Sequence, residues 1–405
     1  MYEAFAWGSG SPSSRVQRVS GVRAQKSMPL IRATLLSIGL ALCVAGAWSQ
    51  EIVIGQTLSL EGGSANIARD LLAGRQACVD DINERGGISG RRLRLVTLDD
   101  KGSPELAVSL HRRLLEKDHA IVLFGPMGAD VNNAVLAWAA DAGIAVVGPF
   151  GGDIGNRVQQ FKTSYFLTAN QSAEAERLAN HVISLGWQRV AVIFTDSSEG
   201  RASLAALQEA LSFVGINPVA MLAVQPNGDG AASAAATAVA AAQVVFLGTS
   251  GASTVSVLKA LSPNRPESRG LLPIYGMSSS ASLSDLLATG ARARGFSMSQ
   301  VLPYPSDPRF RLVRVFEIAM SRVNKKPRDR SYGELEGCLA PLVLAEVLKG
   351  MAATATPTPA SVLRSLRNAG TVNLGDYEID LADRAHPGSR FTDIVFVGSD
   401  GRIHR

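Results

Sequence analysis

The regular alternation of strand-like and helix-like segments is the feature that most constrains how this chain folds. From Glu51 onward, apolar runs such as "AIVLFG" and "RVAVIFT" alternate with amphipathic segments such as "ARDLLAGRQACVDDINERGG" and "SLAALQEALSFVG". Continuous apolar strands are typical of sheets buried on both faces, and strands separated by helices form parallel sheets. Two such runs predict an α/β protein with two doubly wound, Rossmann-like lobes.

The last third of the chain departs from this alternation. A strand-like "FSMSQVLPYP" is followed by three helical segments, and the chain closes on "DYEIDLADRAHPGSRFTDIVFVGSDGRI", which is typical of an antiparallel pair of strands. With 405 residues, the chain is long enough for two domains that each have a core. The sequence therefore predicts two α/β lobes followed by additional helices.

The N-terminal segment has the pattern of a secretion signal. After Met28 come one arginine and an apolar run from Leu35 to Ala47, with small residues at its end. We expect residues 28–49 to be a signal peptide, residues 1–27 to be a non-structural upstream segment, and translation to start at Met28. A membrane anchor is the alternative, although the run is short for a transmembrane span. The signal predicts a mature protein in the periplasm.

Charge and missing motifs argue against several functional classes. The first 49 residues hold five basic residues and one acidic residue, so they carry +4 of the net charge of +5, and a nucleic-acid partner is not expected. The sequence lacks a G-x-G-x-x-G turn after a strand, a Walker A motif, H-E-x-x-H and G-x-S-x-G. The five histidines are scattered, and we expect them to be solvated. No catalytic residue, cofactor or metal site is therefore predicted, and the chain is not expected to be an enzyme.

Small residues recur where strands end and helices begin. The segments concerned are Gly125–Gly128, Gly148–Gly152, Thr195–Gly200, Gly248–Gly251 and Gly276–Ser279. Ligands of open α/β sheets bind beyond the carboxyl ends of the strands, where glycine allows close backbone approach and helix N-termini offer free N–H donors. Ordinary strand–helix turns are the alternative for any one segment. Five of them, drawn from both lobes, favour a shared cleft.

Several segments together resemble a known family. They are "EIVIGQTLSLEG", "GRQACVDDINERGGISGRRLRLVTLDD", "VLFGPMGADVNNAV", "ERLANHVISLGWQRVAVIFTDSSEGRASL", "LEGCLAPLVLAEVLK" and "GSRFTDIVFVGSDGR". From Glu51 to Arg405 the chain resembles the type I periplasmic solute-binding proteins of ABC importers, in the branched-chain amino-acid (leucine/isoleucine/valine-binding) group. The run "INERGGISGRRL" is the most specific part of this resemblance.

The resemblance implies two lobes joined by a three-strand hinge, with crossovers near residues 165–172, 295–303 and 370–378. The implied boundaries are residues 50–168 for the first lobe, 169–298 for the second, 299–374 for the return to the first and 375–405 for the return to the second. It also implies that a monomer closes around a small polar ligand (an amino acid, an amide or a small carboxylate) and docks on an ABC permease of the inner membrane. A ligand-sensing receptor subunit for a membrane signalling protein is the alternative.

The candidate site departs from the family pattern at three positions. Family members that bind amino acids hold the ligand with hydroxyl groups after the third and fourth strands, where this chain has Ala129 and Gly152, and Glu199 replaces an aromatic residue in the second lobe. Backbone N–H groups of residues 128–130 and 151–152 are expected to bind a carboxylate instead, while Glu199 either pairs with a cationic or amide group or faces water. The candidate ligand-binding residues are Met127, Gly128, Ala129, Phe150, Gly151, Gly152, Gln171, Glu199, Thr249 and Ser278.

For two pairs of residues the sequence leaves two alternative roles open. Glu334 and Glu336 lie near the start of a helix in the last third of the chain. A carboxylate at that position usually interacts with the helix dipole. The alternative is that one of the two side chains reaches the cleft. Cys78 and Cys338 fall on helices assigned to the first lobe. They form a disulfide, which needs α-carbons about 4.4–6.8 Å apart, or they remain two buried thiols. Tyr165 flanks the first crossover.

Overall fold

The computed structural model describes residues 51–151, 162–262, 272–323, 330–351, 356–383, 388–398 and 403–405. The upstream segment, the signal peptide and Gly152 therefore lie outside the described residues. Within the described ranges, no helix combines the length and the apolar composition needed to cross a bilayer.

The first sheet is parallel and has the strand order β2-β1-β3-β4-β5. Its strands are β1 Ile52–Leu58, β2 Leu93–Asp99, β3 Val122–Phe124, β4 Val146–Val147 and β5 Ser164–Tyr165, with helices α1 Ala65–Glu84, α2 Pro104–Glu116 and α3 Ala129–Ala142 between them. Every residue of β1 is buried, as expected for a central strand covered on both faces. Helix α2 begins after Ser103, whose side chain accepts a hydrogen bond from the backbone N–H of Leu106.

The second sheet has the strand order β14-β13-β10-β9-β8-β6-β7. Its strands are β6 Val190–Thr195, β7 Ala220–Val224, β8 Val244–Gly248, β9 Ile274–Gly276, β10 Phe296–Gln300, β13 Asp393–Val397 and β14 Ile403–His404, and its helices are α4 Gln171–Ser184, α5 Ser198–Phe213, α6 Ala231–Ala241, α7 Gly251–Leu261 and α8 Leu283–Thr289. Strand β13 pairs antiparallel with β10 and β14, whereas β6 to β10 pair in parallel. The two sheets and their helices confirm the predicted α/β fold with two lobes.

The helices of the last third pack on the first sheet. They are α9 Arg311–Val323, α10 Tyr332–Leu348 and α11 Pro359–Asn368, and they are followed by the hairpin of β11 Thr371–Asn373 and β12 Glu378–Asp380. Phe316 and Leu344 share one hydrophobic core with Phe124 of β3. The lobe boundaries remain a prediction, but Tyr377 and Leu381 also belong to this core, beyond the predicted return at residue 375.

Helices α1 and α10 pack in close contact through small residues. The backbone of Gly74 lies against the carbonyl of Glu334, and that of Gly337 lies against the carbonyl of Leu71, so a side chain at either glycine would collide with the facing helix. Cys78 and Cys338 form a disulfide between the same two helices, with α-carbons 5.4 Å apart. The disulfide alternative of the sequence analysis is therefore confirmed.

One tyrosine connects the three segments predicted as crossovers. The buried hydroxyl oxygen of Tyr377 lies 3.2 Å from the carbonyl oxygen of Leu167 and 3.0 Å from that of Val301, so its single proton is shared between two acceptors. A hydroxyl shared by the segments that follow β5 and β10 favours one separation of these segments, because leaving either buried acceptor unpaired would be unfavourable. Tyr377 therefore links the three segments predicted as crossovers.

Candidate functional site

The loops that follow the carboxyl ends of strands from both sheets meet each other. Ser198, at the start of α5, donates a hydrogen bond from Oγ to Oδ2 of Asp130, in the first turn of α3, at 2.8 Å. Asn66, in the first turn of α1, donates from Nδ2 to Oδ1 of Asp285 at 3.0 Å. These loops follow the carboxyl ends of the strands, and in each sheet the strand order reverses nearby, around β1 in the first sheet and around β6 in the second. The strand-end loops of the two lobes are therefore in contact along the edges of the predicted cleft.

A third contact across the cleft is made by backbone alone. Gly251, the first residue of α7, has φ +53° and packs on the carbonyl of Gly63. Any side chain at position 251 would collide with that carbonyl and would also occupy an unfavourable backbone conformation. The glycine that ends the segment Gly248–Gly251 is therefore required for the lobes to approach.

The first-lobe wall is built from the segments after β3 and β4, which pair with each other. Met127 and Phe150 form a β-bridge in which Gly128 donates its N–H to the Phe150 carbonyl at 3.0 Å, and Phe150 donates its N–H to the Pro126 carbonyl at 3.0 Å. Asn132 donates from Nδ2 to the carbonyl of Phe150 at 2.8 Å. The prediction of a free N–H at Gly128 is therefore wrong, because the bridge between the two loops uses that donor.

The other predicted residues of this wall lie around the bridge. Ala129 is the first residue of α3, directly after Gly128, which has φ +93°. Gly151, with φ +70°, accepts a second hydrogen bond from Nδ2 of Asn132 at 2.8 Å. Gly152 lies outside the described residues, so its part in the site stays a prediction.

Glu199 of the second lobe faces this wall. A β-carbon at Gly151 would lie 3.5 Å from Oε1 of Glu199, with the backbone nitrogen of Gly128 at 3.8 Å. Burial raises the pKa of the Glu199 carboxyl, and the nearby Asp130 carboxylate raises this pKa further. Of the two alternatives for Glu199, the structure favours a position inside the cleft over one facing bulk water.

Thr249 and Ser278 are turned toward their own lobe. The hydroxyl of Thr249 is buried and lies 2.7 Å from that of Thr254. Ser278 donates from its backbone N–H, at 2.7 Å, and from Oγ, at 2.9 Å, to the buried carboxylate of Glu174. Their predicted role in contacting a ligand is not supported here, because both side chains already have partners within the second lobe.

Gln171 lies beside the first turn of α5. It is 6% exposed, and its Nε2 donates to the hydroxyl of Ser203 at 3.4 Å, while Ser203 donates to the backbone carbonyl of Glu199 at 3.1 Å. Its carbonyl oxygen Oε1 has no hydrogen-bond partner among the described residues. A buried acceptor without a partner is unusual in folded proteins and indicates a place where a ligand or water donates.

A buried arginine holds the inner end of the first-lobe wall. The guanidinium of Arg75, on α1, donates from Nη1 to Oε1 of Gln56 at 2.7 Å and from Nη2 to the carbonyls of Gly125, at 3.0 Å, and Gly148, at 3.4 Å. Burial lowers the pKa of Arg75 to about 10, partly offset by the attraction of Glu336, so the side chain stays charged. Arg75 therefore fixes the ends of β3 and β4 in one arrangement.

Glu336 reaches the same region, whereas Glu334 does not. Glu334 closes a capping box with Ser331 and is an ordinary N-terminal residue of α10. Glu336 lines a cavity of about 10 Å³, room for roughly one water molecule, together with Phe150, Thr168 and Arg75. Burial and the nearby Glu174 carboxylate raise the pKa of Glu336 to about 8, against the opposing influence of Arg75 and a hydrogen bond with Thr168.

Two further expectations are resolved by burial. Tyr165 is buried in β5, and its carbonyl accepts from the N–H of Gly148 at 2.8 Å, so it supports the wall from behind. His111 is fully buried in α2, and its Nδ1 lies 2.8 Å from the carbonyl of Ala107. Burial lowers the pKa of His111 to about 4, so the expectation that all five histidines are solvated is wrong.

A larger cavity lies away from the cleft. It has a volume of about 450 Å³ and is lined by residues of α1, α9 and α10 and of the β11 hairpin. Its charged lining residues include Arg85, which pairs with Asp81, and Lys349, which pairs with Glu346. Because these charges are satisfied by neighbours on their own helices, the cleft is the better candidate site. Across the described residues, no group of three side chains has the composition of a metal site.

Comparison with known protein families identifies relatives of the same architecture. A sequence profile described as periplasmic binding protein matches residues 51–402. Over 202 residues the chain is 27% identical to a Leu/Ile/Val-binding protein of Rhizobium johnstonii, which covers 50% of this chain and 54% of that protein. The chain spans about half the length, or less, of the curated relatives that it matches.

Solved structures match over most of the chain. An extracellular ligand-binding receptor from Verminephrobacter eiseniae superimposes with a TM-score of 0.77 at 25% identity, covering 88% of this chain and 100% of that one. The branched-chain amino acid transporter substrate-binding protein LivJ of Streptococcus pneumoniae, in complex with isoleucine, gives a TM-score of 0.73 at 16% identity, covering 88% and 98%. At 16% identity, the similarity to the Streptococcus pneumoniae protein shows a shared fold only.

Proposed function

This chain belongs to the periplasmic binding protein family of ABC-transporter solute-binding proteins, and on that premise we propose that it captures a small polar metabolite in the cleft between its lobes and delivers it to an ABC permease. The metabolite is an amino acid, an amide or a small carboxylate. Delivery takes place in the periplasm, with the closed form of the monomer docking on the permease in the inner membrane.

The observation that carries this proposal is the meeting of both sets of strand-end loops. The hydrogen bonds from Ser198 to Asp130 and from Asn66 to Asp285 join residues at the starts of helices, beyond the carboxyl ends of the strands in each sheet. Such bonds exist only when the lobes are closed on each other. Glycines at the strand ends leave space between these loops, and the buried amide oxygen of Gln171 has no described partner. These features suit a cleft that encloses a small molecule.

A thermal-shift screen of the mature chain tests ligand capture. Amino acids, their amides and small carboxylates are added one at a time, and the midpoint of unfolding is recorded. A ligand present at 100 times its dissociation constant adds about 2.7 kcal/mol to the free energy of unfolding, which raises the midpoint measurably. Absence of any shift across the whole panel would contradict the proposal.

Two phenylalanines provide a matched pair of variants for this screen. Phe150 lines the small cavity beside Glu336, whereas Phe213 is 90% exposed at the end of α5. Phe150→Ala is expected to reduce the ligand-induced shift, and Phe213→Ala is expected to preserve it. Equal shifts for the two variants would place the ligand elsewhere.

Uptake measurements separate transport from sensing. Cells that lack this protein are expected to lose accumulation of the radiolabelled ligand identified by the screen, and to regain it with the wild-type chain but not with Phe150→Ala. Unchanged uptake would instead favour a receptor subunit for a membrane signalling protein.

A further inference from the structure

We infer that the ligand of the cleft carries a cationic group with N–H donors, such as a protonated amine, amidine or guanidine, because the side chains brought together there are acceptors from three separate elements. This inference rests on the proposed function, since it names the chemical class of solute that the cleft binds.

The carboxylates come from both lobes. Glu199 on α5 faces Gly151 across the cleft, as the 3.5 Å approach to a β-carbon position at Gly151 shows. Asp130 on α3 lies at the opposite edge and accepts from Ser198. Glu336 on α10 lines the small cavity behind Phe150. Glu199 and Glu336 therefore approach neighbouring residues of one loop, Gly151 and Phe150, and give this part of the cleft oxygen acceptors of negative or potentially negative charge.

The cations near the cleft are already engaged. The guanidinium of Arg75 is fully buried and donates to Gln56 and to the carbonyls of Gly125 and Gly148. Arg201 pairs with Asp196 on the exposed side of α5. These side chains shape the walls and partly balance their charge, but their described hydrogen bonds are made to the protein.

A second, independent observation is the buried oxygen of Gln171. The residue is 6% exposed, and its Oε1 has no partner among the described residues, while its Nε2 donates to Ser203. Because Ser203 also donates to the backbone carbonyl of Glu199, the Gln171 amide lies beside the turn of α5 that carries Glu199. An unpaired acceptor there requires a donor, and a ligand N–H group supplies one.

Two of the backbone donors that an anionic ligand could use, one in each lobe, are already engaged within the protein. The N–H of Gly128 donates to the Phe150 carbonyl. In the first turn of α5, the N–H of Gly200 donates to the Ser197 hydroxyl. Acidic side chains also occupy the first turns of both helices, Asp130 in α3 and Glu199 in α5, where they already interact favourably with the helix dipoles. A ligand carboxylate at either terminus would meet a like charge.

Calorimetry with pairs of probes that match in shape and differ in charge tests this inference. The pairs are benzamidine and benzoate, 3-methylbutan-1-amine and 4-methylpentanoate, and 1,4-diaminobutane and butanedioate, each titrated into the mature wild-type chain at pH 7.5. At least one cation is expected to bind, and to bind ten-fold or more tightly than its anionic partner. Tighter binding of the anion of any pair would overturn the inference while supporting the proposed function.

A pair of variants on one helix assigns the charge preference to the cleft. Glu199→Gln removes the charge that faces Gly151, and Glu209→Gln removes one on the exposed side of the same helix. The first is expected to reduce the preference for the cation at least five-fold, and the second to leave it unchanged. An undiminished preference in Glu199→Gln would overturn the inference, as would an equal loss in both variants. If none of these probes binds, this inference is overturned; if the thermal-shift panel of amino acids, amides and carboxylates also gives no shift, the proposed function is overturned with it.

Discussion

The hydroxyl of Ser198 donates to the carboxylate of Asp130 at 2.8 Å, and these two residues belong to different lobes. One follows β6 of the second sheet and the other follows β3 of the first. Their hydrogen bond forms only when the strand-end loops of the two sheets meet. It is therefore a contact between the lobes, and under the proposed function its strength contributes to how long a ligand stays enclosed.

Ser198→Ala is expected to shorten the lifetime of the bound complex. A hydrogen bond of this kind contributes about 1 kcal/mol, which corresponds to a roughly five-fold faster dissociation of ligand. Stopped-flow dissociation of the ligand found by the thermal-shift screen measures the rate. Ser184→Ala is the control, because Ser184 donates to the His181 carbonyl within α4. A dissociation rate equal to that of the wild type would show that this contact does not stabilise closure.

Reduction of the Cys78–Cys338 disulfide is expected to weaken the first lobe without abolishing ligand capture. The bond joins α1 to α10 across 260 residues of sequence, and losing a native disulfide typically costs about 2–5 kcal/mol of the free energy of unfolding. Urea unfolding of the oxidised wild type and of the Cys78→Ala/Cys338→Ala double variant gives the difference. Equal midpoints and equal slopes for the two proteins would contradict this expectation.

Glu336 is expected to make the folded protein less stable as the pH rises from about 5 to about 8. Its pKa is about 8 in the folded state, and an unfolded chain ionises such a group near 4.5, so the folded state binds more protons between these values. Stability contributed by a group of this kind is lost as the pH rises through the window. The charges that face Glu336 are Arg75 on α1 and Glu174 on α4.

Urea unfolding at pH 5, 6, 7 and 8 checks the role of Glu336. Glu336→Gln cannot ionise, so its loss of stability across this range should be smaller than that of the wild type. Glu346→Gln, on an exposed turn of the same helix, should behave as the wild type does. A profile for Glu336→Gln that is parallel to the wild type would contradict the expectation.

Ala129→Ser is expected to improve the binding of ordinary branched-chain amino acids. The substitution places a hydroxyl at the first residue of α3, where the present alanine has no side-chain donor for a ligand carboxylate. One hydrogen bond to a charged group contributes about 1.5–3 kcal/mol, which is at least a ten-fold gain in affinity. Calorimetry with leucine measures the change, and Ala142→Ser at the exposed end of the same helix is the control. A leucine affinity equal to that of the wild type would remove position 129 from the site.

The sequence is enough to predict the lobes because hydrophobic periodicity is a local property. The buried runs that became β1, β3, β6 and β8 are continuous in the chain, and the helices between them carry their own apolar faces. Glycines at strand ends were equally visible, and Gly251 shows why one is needed, since its backbone packs on the carbonyl of Gly63. Local pattern therefore identified the strand-end loops that meet between the lobes.

The sequence is not enough to predict which hydrogen-bonding groups at the strand ends remain free to contact a ligand. The N–H of Gly128, the hydroxyl of Thr249 and both donors of Ser278 are each used by a neighbour. Thr254 lies close to its partner in the chain, but Glu174 is 104 residues from Ser278. Such hydrogen bonds depend on how two secondary-structure elements pack, and they cannot be predicted from the hydrophobic periodicity of either element.

The sequence by itself determined the two α/β lobes, the cleft between them and the two cysteines as possible partners. The tertiary structure decided that Cys78 bonds Cys338, that Glu336 reaches the cleft region while Glu334 caps its own helix, and that Gln171 keeps a buried oxygen without a partner. The physical reason is that secondary structure follows from the spacing of apolar residues along a few turns or strands. The surroundings of a polar group are set instead by segments up to 260 residues away, which meet only when the chain is folded.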